Sequence, residues 1–345
     1  MRAKPKHILV IRLSAMGDVA MSVPVLKALT EQHPDVKITV LSRPFLKSLF
    51  EDIDNVKFYA AHIENKHKGV LGLYRLFKEL KKLEIDAIAD IHNVLRSKIL
   101  CLFFVTSGIK HAIIDKGRAE KKALTRIKNK IFKQLKTTHE RYSDVFRKLG
   151  FEVDLSNPKF PSKQHLTTEI LKIIPSDHTK WIGIAPFAKH KAKMYPLNLM
   201  EAVIKELDAT NEYKILLFGG GNLEIIALNK IEVKFNNAVS VAGKINFMDE
   251  IRLISNLDCM VSMDSANAHL GAMQGVRVIT IWGATHPFAG FAPFNQPNDY
   301  MLLPDLKKFP HIPCSIYGNK NCEGYDEVMR TIPPEKIIAK IKEIT

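Results

Sequence analysis

The stretch VSMDSANAHLGAMQGVRVITIWGATHP, residues 261–287, carries the pattern on which the fold depends. An apolar run ends at Asp264, a helix-like run follows, and a second apolar run ends in the loop WGATHP. Two buried strands joined by a helix are typical of a parallel βαβ unit. Ser265 stands where it can cap the helix, and the small residues Ala266 and Ala268 would let a ligand approach the first turn. Exposed backbone N–H groups there favour an anion, such as a diphosphate.

The same alternation of strands and helices runs along the chain in two series. The first predicts strands at 7–13, 37–42, 56–60, 86–91 and 111–114 and helices near 18–32, 70–83, 95–104 and 139–149. The second predicts strands at 181–186, 214–218, 238–241, 258–262 and 277–282 and helices near 197–209, 223–234, 247–255 and 265–274. Between the two series, the proline-containing and polar residues 151–178 indicate a linker. We therefore expect an α/β protein with two Rossmann-like domains, residues 1–160 and 161–345, whose ligands bind beyond the carboxyl ends of the strands.

Charge is distributed unevenly along the sequence. The chain has 345 residues and a formal net charge of +15. Residues 1–150 contain 30 Lys and Arg against 15 Asp and Glu, whereas residues 151–345 contain 21 of each. The first half therefore carries the whole excess, which suits phosphate-bearing lipid, nucleic acid or solubility alone, and composition does not choose among them.

Targeting signals and metal-binding spacings are not evident in the sequence. No apolar run reaches the roughly 18–20 residues that span a bilayer, and the charged start MRAKPKH leads into a strand, so we expect a cytoplasmic protein. The four cysteines, Cys101, Cys259, Cys314 and Cys322, lack the paired short spacings that hold zinc. We expect reduced thiols, although Cys314 and Cys322 could lie near one another.

One segment concentrates the positive charge. Residues 116–136, KGRAEKKALTRIKNKIFKQLK, contain nine basic residues opposed by Glu120 alone. Four apolar residues recur at helical spacing and predict an amphipathic basic helix: Leu124, Ile127, Ile131 and Leu135. This pattern fits a solvated helix face, or attraction to anionic phosphates of a membrane surface or lipid substrate.

Two loops of the second half point to the predicted ligand edge. IAPFAKHKAKMYP, residues 184–196, includes Lys193, which can neutralise a leaving phosphate but would look the same as a solvated lysine. LLFGGGNLEIIAL, residues 216–228, includes Glu224, which can accept hydrogen bonds from ribose hydroxyls, although a plain glycine turn explains it equally. His269 likewise fits either a ligand contact or a core residue.

A carboxylate stands at the first predicted helix. In VIRLSAMGDVAMSVPVL, residues 10–26, the strand breaks at Ser14-Ala15-Met16-Gly17 and Asp18 begins the helix. Helix capping and the helix dipole ordinarily explain an acid at this position. A general base is the competing hypothesis. The sequence contains no HExxH, GxSxG or Walker A pattern, which disfavours metalloprotease, α/β-hydrolase and P-loop functions.

Together these stretches resemble a known family. ILVIRLSAMGDVAMSVPVLKAL, DAIADIHNVLRSKIL at 86–100, KMYP at 193–196 and DSANAHLGAMQGVRVITIWGATHP are similar to the lipopolysaccharide heptosyltransferases of glycosyltransferase family 9. The resemblance covers nearly the whole chain in order. It implies a GT-B architecture, in which two Rossmann-like domains face each other across a cleft, with the acceptor bound mainly by the first and the nucleotide-sugar donor by the second.

The resemblance also implies roles for individual residues. Asp18 would be the general base and Lys193 a contact to the donor phosphate. The remaining donor-binding residues would be Ser14, Met16, Gly17, Glu224, Asp264, Ser265, Ala266 and His269. The predicted acceptor contacts are Arg96, Lys98, Lys121 and Lys122. This chain departs from the family in having Asp-Ser-Ala where Asp-Thr-Gly is usual and Tyr195 where Trp is usual, so the identity of the sugar is open.

The implied reaction is a metal-independent, inverting transfer without a cofactor. Heptose would move from ADP-L-glycero-D-manno-heptose to a Kdo- or heptose-bearing lipopolysaccharide core at the cytoplasmic face of the inner membrane, without a nucleic-acid partner. His92 is the alternative base. One alternative function is a family 9 enzyme with another nucleotide sugar or acceptor, and another is a non-enzymatic nucleotide- or nucleic-acid-binding protein.

Overall fold

The computed structural model describes residues 4–174, 179–320 and 322–345. Residues 1–3 and 175–178, which belong to the predicted charged start and linker, lie outside the described residues. The chain forms two compact units. The first unit contains Met1–Lys116 and Thr138–Lys159, and the second contains Gly117–Thr137 and Phe160–Thr345.

Each unit combines one parallel sheet with helices. The strands are β1 (His7–Ile11), β2 (Lys37–Ser42), β3 (Val56–Ala60), β4 (Ala87–Asp90), β5 (Lys110–Ile113), β6 (Lys180–Ala185), β7 (Tyr213–Leu217), β8 (Ala238–Ser240), β9 (Cys259–Met263), β10 (Arg277–Ile281) and β11 (Met301–Leu302). The α-helices are α1 (Met16–Ala20), α2 (Val23–Gln32), α3 (Gly69–Lys81), α4 (Leu95–Val105), α5 (Arg118–Thr125), α6 (Thr138–Leu149), α7 (Thr168–Ile173), α8 (Leu197–Asp208), α9 (Asn222–Glu232), α10 (Phe247–Ile254), α11 (Ala266–Met273) and α12 (Pro334–Ile344). This α/β organisation with two Rossmann-like halves confirms the predicted fold class.

The sheet of the first unit has the strand order β3-β2-β1-β4-β5. Its central strand β1 is apolar and buried, as expected for a parallel strand covered on both faces. Ile11 at the end of β1 is in register with Leu41 of β2 and with Asp90 of β4. The loops that follow β1 and β4 are therefore neighbours at the carboxyl edge of the sheet.

The sheet of the second unit has the order β11-β10-β9-β6-β7-β8. β9 pairs with β10 on one side and with β6 on the other, and Ser262 of β9 is in register with Thr280 and Ala185. The loops after β6, β9 and β10 therefore leave the same edge side by side. An apolar core beneath them includes Ile184, Val261 and Ile279, which are fully buried.

The single helix predicted near 18–32 is two helices in the structure. α1 ends at Ala20 and α2 begins at Val23, with a proline in its first turn. Pro24 has no N–H to donate, so a continuous helix through it would lose a backbone hydrogen bond. The Ser22 hydroxyl instead donates to the carbonyl of Val19 at 2.6 Å and closes the end of α1.

The basic segment is not the amphipathic helix that its periodicity predicts. The helix α5 ends at Thr125, and the chain then turns through Asn129 at a positive φ of 51°. Leu124 and Leu135 are buried with Ala289, whereas the other two members of the predicted stripe, Ile127 and Ile131, are exposed. Residues 117–136 of the segment also belong to the second unit, whereas the predicted domain boundary at 160 assigned them to the first.

Two of the four cysteines form a disulfide, contrary to the expectation of reduced thiols. Cys314 and Cys322 form a disulfide with a Cα–Cα distance of 6.0 Å, so the prediction that all four thiols are reduced is wrong for this pair. Cys101 and Cys259 are free and buried. Sequence spacing alone did not decide the pairing, because it depends on how the chain folds between the two residues.

The described residues contain neither a membrane-spanning helix nor a cluster of metal-ligating side chains. No described helix is both long enough and apolar enough to cross a membrane. Among the same residues, no group of three or more His, Cys, Asp and Glu side chains is placed to hold a metal ion.

Candidate functional site

The carboxylate of Asp18 lies at the carboxyl edge of the first sheet, in the first turn of α1. Its Oδ2 atom is 2.7 Å from Nη2 of Arg12 and accepts a hydrogen bond of 3.3 Å from the backbone N–H of Ala15. The side chain is 31% exposed, and among the described residues Oδ1 has no hydrogen-bond partner. The carboxylate is thus held by one oxygen and open at the other. Ser14, Met16 and Gly17, predicted as donor contacts, lie partly exposed around it.

Arg12 is buried and fixed from three sides. Its Nη1 donates to the carbonyl of Ile91 at 2.8 Å, and its guanidinium carbon lies 5.9 Å from the centre of the Tyr142 ring. Burial alone would lower the pKa of Arg12, but Tyr142 and Asp18 outweigh it and raise that pKa. The hydroxyl of Tyr142 donates to the backbone carbonyl of Asp18 at 3.1 Å. Arg12 therefore remains a cation, and together with Tyr142 it positions Asp18.

Asp90 shapes the neighbouring loop after β4. Its fully buried carboxylate accepts from the backbone N–H of His92 at 2.9 Å, from that of Asn93 at 2.8 Å and from the Ser97 hydroxyl at 2.8 Å. These bonds fix the turn and the start of α4. Sequence analysis missed Arg12, Asp90 and Tyr142, although a charged residue directly after a buried apolar strand was a signal for Arg12.

His92 is poorly suited to be a base. Its Nδ1 accepts a hydrogen bond of 3.4 Å from the backbone N–H of Leu13, so the proton of the neutral ring is on Nε2. Burial, with the charge of Arg12 close by, lowers the pKa of His92 to about 3. The ring therefore offers no free basic nitrogen, which weakens the alternative mechanism that uses His92.

The predicted acceptor contacts separate into two places. Arg96 and Lys98 are exposed on the first turn of α4 in the first unit. Lys121 and Lys122 lie on α5 in the second unit, where Lys122 is exposed. Lys121 is buried with its ammonium 4.2 Å from the centre of the Phe291 ring. The four lysine and arginine side chains therefore do not form one cluster within either unit.

Asp264 and Lys193 form an ion pair at the carboxyl edge of the second sheet. Oδ2 of Asp264 is 2.8 Å from Nζ of Lys193 and accepts a hydrogen bond of 2.8 Å from the Thr285 hydroxyl. The Asp264 side chain is only 7% exposed. Loops after β6, β9 and β10 thus each contribute one of these residues. Thr285 was missed, although it lies within the quoted loop WGATHP.

The alkyl chain of Lys193 is held against a glycine. Lys193 ends a short 3-10 helix, Lys191–Lys193, and a Cβ atom on Gly318 would come within 2.4 Å of its Cγ and Cδ. Gly318 also has a φ of +73°, so a side chain there would be strained as well as in collision. It lies in the loop closed by the Cys314–Cys322 disulfide. That loop therefore packs on Lys193 and helps to position its ammonium group.

The helix α11 begins two residues after Asp264. Ser265 precedes it in an extended conformation and makes no side-chain cap, so the predicted capping role is wrong. Its hydroxyl lies 3.1 Å from that of Ser262 instead. Ala266 is the first residue of the helix, and His269 is buried one turn later. No side chain of Ser265 caps the N–H groups of the first turn, which suits an anion.

Glu224 is engaged by its own glycine turn. It lies in the first turn of α9, and its Oε2 accepts a hydrogen bond of 2.8 Å from the backbone N–H of Gly220. A Cβ atom on Gly219 would come within 3.2 Å of that oxygen and 2.8 Å of Leu228. The glycine run therefore forms a turn that Glu224 stabilises. The Glu224 side chain is still partly exposed, so the structure is also compatible with a contact to ribose hydroxyls.

Tyr195, which stands where the family resemblance implies Trp, is a buried residue. Its hydroxyl donates to the carbonyl of Ile332 at 2.7 Å. It lines a cavity of about 390 Å³ in the second unit with residues such as Phe187, Met194 and Arg330. Asp264, Lys193 and His269 do not line this cavity. Tyr195 thus anchors the chain after β6 rather than contacting the ion pair.

Comparisons with known proteins were made on sequence and on structure. The model of glycosyltransferase family 9 (heptosyltransferase) matches residues 73–312. The lipopolysaccharide core heptosyltransferase OpsX of Haemophilus influenzae is 26% identical, with 99% of this chain and 97% of that protein covered.

Solved structures share the fold over the full chain. A family 9 glycosyltransferase from Veillonella parvula aligns with a TM-score of 0.76 at 18% identity, covering 100% of this chain and 98% of the other. The E. coli heptosyltransferase WaaC, solved with ADP, aligns with a TM-score of 0.68 at 19% identity over 98% and 100% of the two chains. The family match over residues 73–312 decides against the non-enzymatic alternative. This chain is a glycosyltransferase and belongs to glycosyltransferase family 9, the heptosyltransferase family.

Proposed function

We propose that this protein transfers L-glycero-D-manno-heptose from ADP-L-glycero-D-manno-heptose to a Kdo- or heptose-bearing lipopolysaccharide core. Family membership and the similarity to a core heptosyltransferase support the acceptor class. Similarity to a structure that contains ADP supports an ADP-linked donor. The ion pair of Lys193 and Asp264 carries the proposal, because it places a cation at the strand edge beside the start of α11.

The acceptor hydroxyl is activated by Asp18. As the hydroxyl oxygen attacks the anomeric carbon, its proton passes to the carboxylate, and the bond from that carbon to the diphosphate breaks with its electron pair on the departing ADP. Attack opposite the leaving group inverts the anomeric configuration. The unpartnered Oδ1 is the atom that we assign to the proton, since Oδ2 is held by Arg12. General base catalysis of this kind contributes typically about 10²–10⁴-fold.

The departing diphosphate is stabilised by Lys193 and the N-terminus of α11. An ammonium has three donors, so Lys193 can keep Asp264 at one and offer others to phosphate oxygens. Asp264 is an anion itself and would repel a phosphate, so we assign it the role of positioning Lys193. One preorganised charge contact of this kind is worth about 2–4 kcal/mol in the transition state.

We further propose that this pair of positive groups makes the reaction independent of added metal. The lysine and the helix N-terminus place positive charge where the diphosphate develops negative charge. Full activity in the presence of a chelator would support this assignment. A rate that depends strongly on magnesium would show that the account is incomplete.

Acceptor binding is assigned to basic residues of α4 in the first unit and of α5 in the second. Arg96 and Lys98 are exposed and basic on the first turn of α4, which suits acidic groups of a lipopolysaccharide core. Lys122 is exposed on α5, whereas Lys121 is less available because it is buried against Phe291. Peripheral action at the cytoplasmic face of the inner membrane stays a prediction.

A second candidate function is transfer of another sugar by the same mechanism. It is favoured by the Asp264-Ser265-Ala266 sequence, where a methyl group on Ala266 replaces the hydrogen of the usual glycine. The added methyl stands at the start of α11, beside the group that would bind the donor.

The experiment is a donor panel. Purified protein would be incubated with ADP-L-glycero-D-manno-heptose, other ADP-sugars and UDP-sugars in the presence of two core lipopolysaccharide acceptors, one that ends in Kdo and one that bears heptose, and the products would be weighed by mass spectrometry. We expect a mass increase of one heptose from the ADP-heptose only. Transfer of another sugar would replace the primary assignment with the second, and no transfer from any donor would refute both.

A further inference from the structure

The outer surface of α3 and α4 in the first unit is unusually apolar for an exposed surface. Leu71 is 85% exposed, Leu95 75% and Leu102 59%, and Val70 and Tyr74 are exposed as well. Leu71 and Tyr74 lie one turn apart on α3, and Leu95 and Leu102 two turns apart on α4, so each helix presents a stripe. We call Val70, Leu71, Tyr74, Leu95 and Leu102 the α3–α4 face.

The two stripes belong to one surface. The Tyr74 ring on α3 meets the Phe103 ring on α4 edge to face, with ring centres 5.5 Å apart. Phe103 is adjacent in sequence to Leu102 and partly buried against Phe77. Exposed leucines scattered singly on a surface need no explanation, but aligned leucines on two touching helices form a patch.

Positive charge surrounds the α3–α4 face. Residues 66–82 contain six cations, Lys66, Lys68, Arg75, Lys78, Lys81 and Lys82, and residues 95–105 add Arg96 and Lys98. The single acid in these two stretches is Glu79. Its carboxylate is already engaged, at 2.9 Å from Nζ of Lys66 and 2.8 Å from the Tyr59 hydroxyl. The ammonium of Lys78 lies 4.8 Å from the centre of the Tyr74 ring, so cationic and apolar groups are interleaved.

We infer that the α3–α4 face docks on an anionic phospholipid bilayer. A bilayer offers both complements at once, acyl chains for the leucines and phosphates for the lysines. A second copy of the chain would oppose like charges and is disfavoured. The inference rests on the proposed function in one respect, because a lipid-anchored acceptor requires the enzyme at a membrane surface.

The basic segment, residues 116–136, is less suited to this role. Its Lys130 donates to the carbonyls of His311 at 2.8 Å and Pro313 at 3.2 Å, within the second unit. Its Phe132 ring packs 5.0 Å from both the His286 and the Phe288 rings. Lys130 and Phe132 therefore have less to offer a lipid surface than unengaged side chains, although Ile127 and Ile131 of the same segment are exposed.

The first test is vesicle binding of the full-length protein without donor or acceptor. Vesicles that contain phosphatidylglycerol are compared with vesicles of phosphatidylcholine alone. We expect binding to the anionic vesicles only, and a loss of about tenfold or more in affinity for Leu71→Asp with Leu102→Asp. The matched control is Leu223→Asp with Val233→Asp, at the start of α9 and directly after its end, where both residues are 84% exposed. Equal losses in both pairs, or none in the first, would overturn the inference.

The second test separates insertion from charge attraction. Trp181 and Trp282 are buried, so a tryptophan placed by Leu71→Trp is the exposed reporter. We expect its emission to shift to the blue and to be quenched by brominated lipid in anionic vesicles, whereas Leu223→Trp is unaffected. Absence of quenching at Leu71→Trp would overturn the docking geometry. Arg75→Gln with Lys78→Gln should weaken binding more than Lys122→Gln with Lys128→Gln, and the reverse order would assign docking to the basic segment, residues 116–136.

The two proposals fail separately. The vesicle assay uses no sugar, so a wrong donor or acceptor leaves its result unchanged. Conversely, the Leu71→Asp, Leu102→Asp variant should transfer sugar to a delipidated, soluble core acceptor at the wild-type rate and to vesicle-embedded acceptor more slowly. An equal loss on both acceptors would indicate damage to the enzyme and would contradict docking by this face. If the variant binds vesicles normally but loses a protein partner, the face binds protein and the bilayer assignment is wrong.

Discussion

Asp18 of the first unit and Asp264 of the second are two carboxylates at the carboxyl edges of the two sheets, with different surroundings. Each receives a cation on Oδ2, Arg12 at 2.7 Å and Lys193 at 2.8 Å. The Asp18 side chain is 31% exposed, whereas that of Asp264 is 7% exposed and also accepts from Thr285.

The cation of the first pair is less exposed than the cation of the second, which is the reverse of the order of the two acids. Arg12 is the more buried partner in the first pair, and Asp264 is the more buried partner in the second. In each pair the buried member orients the more accessible one. The comparison therefore predicts that Asp18 and Lys193 face substrate, while Arg12 and Asp264 are positioning residues.

The largest expected effect is that of Asp18→Asn. Asn is nearly isosteric and tolerates the start of a helix, but it cannot take a proton, so turnover should fall by about 10²–10⁴. Donor affinity should remain near normal, and the melting temperature should fall modestly because Arg12 loses its anionic partner. Measured together, kcat, donor Kd and Tm distinguish a general base from a helix cap. Near-normal turnover would return Asp18 to a capping role.

Lys193→Ala is expected to have the next largest effect. Loss of one preorganised charge should cost about 2–4 kcal/mol in the transition state, which lowers kcat/KM about 30- to 1,000-fold. Added magnesium should not restore the rate. Steady-state kinetics with and without magnesium give the measurement, and a rate restored by the metal would contradict the assignment.

Asp264→Asn makes the same change of carboxylate to amide at the edge of the second sheet, and it is the control for Asp18→Asn. If Asp264 acts through Lys193, the loss should be about ten- to a hundredfold, the value of a hydrogen bond to a charged group. It should also be smaller in the Lys193→Ala background, because the two residues act as a unit. Full additivity in this double-mutant cycle would separate Asp264 from Lys193.

The smallest effect is expected at His92. Burial lowers the pKa of His92 to about 3, below its ordinary value near 6.5. Between those values the unfolded chain binds a proton that the folded chain does not, so stability falls as the pH drops below about 6.5. His92→Gln should flatten that loss by up to about 1.4 kcal/mol per pH unit and leave kcat at neutral pH within a fewfold. A collapse of kcat in His92→Gln would restore it as the base.

The sequence located most of the candidate site because it lies at strand ends. Apolar runs mark where parallel strands stop, and the first polar residues after them must lie at one edge of the sheet. Asp264 directly follows its strand and was found in this way, whereas Asp18 and Lys193 lie further along their loops and took their roles from the family resemblance. Tyr142 was missed because its hydrogen bond to Asp18 spans 124 residues, and no local pattern contains that information.

Local periodicity also misled in one place. The spacing of Leu124, Ile127, Ile131 and Leu135 satisfies a helix considered alone. In the structure the chain leaves the helix after Thr125, and the N–H of Leu135 donates to the carbonyl of Phe288 at 2.9 Å. Packing within the second unit thus replaces helical hydrogen bonds with tertiary ones. Helix propensity is a weak preference compared with the burial of apolar side chains.

The sequence by itself determined the alternation of strands and helices, the two parallel sheets and the polar residues that follow the strands. These properties depend on hydrophobic periodicity, which is written in neighbouring residues. Only the tertiary structure decided which carboxylate remains accessible, which cation fixes it and that His92 loses its basicity. Ion pairing and desolvation depend on distances between residues far apart in the chain, so they exist only once the loops of each sheet edge have been brought together.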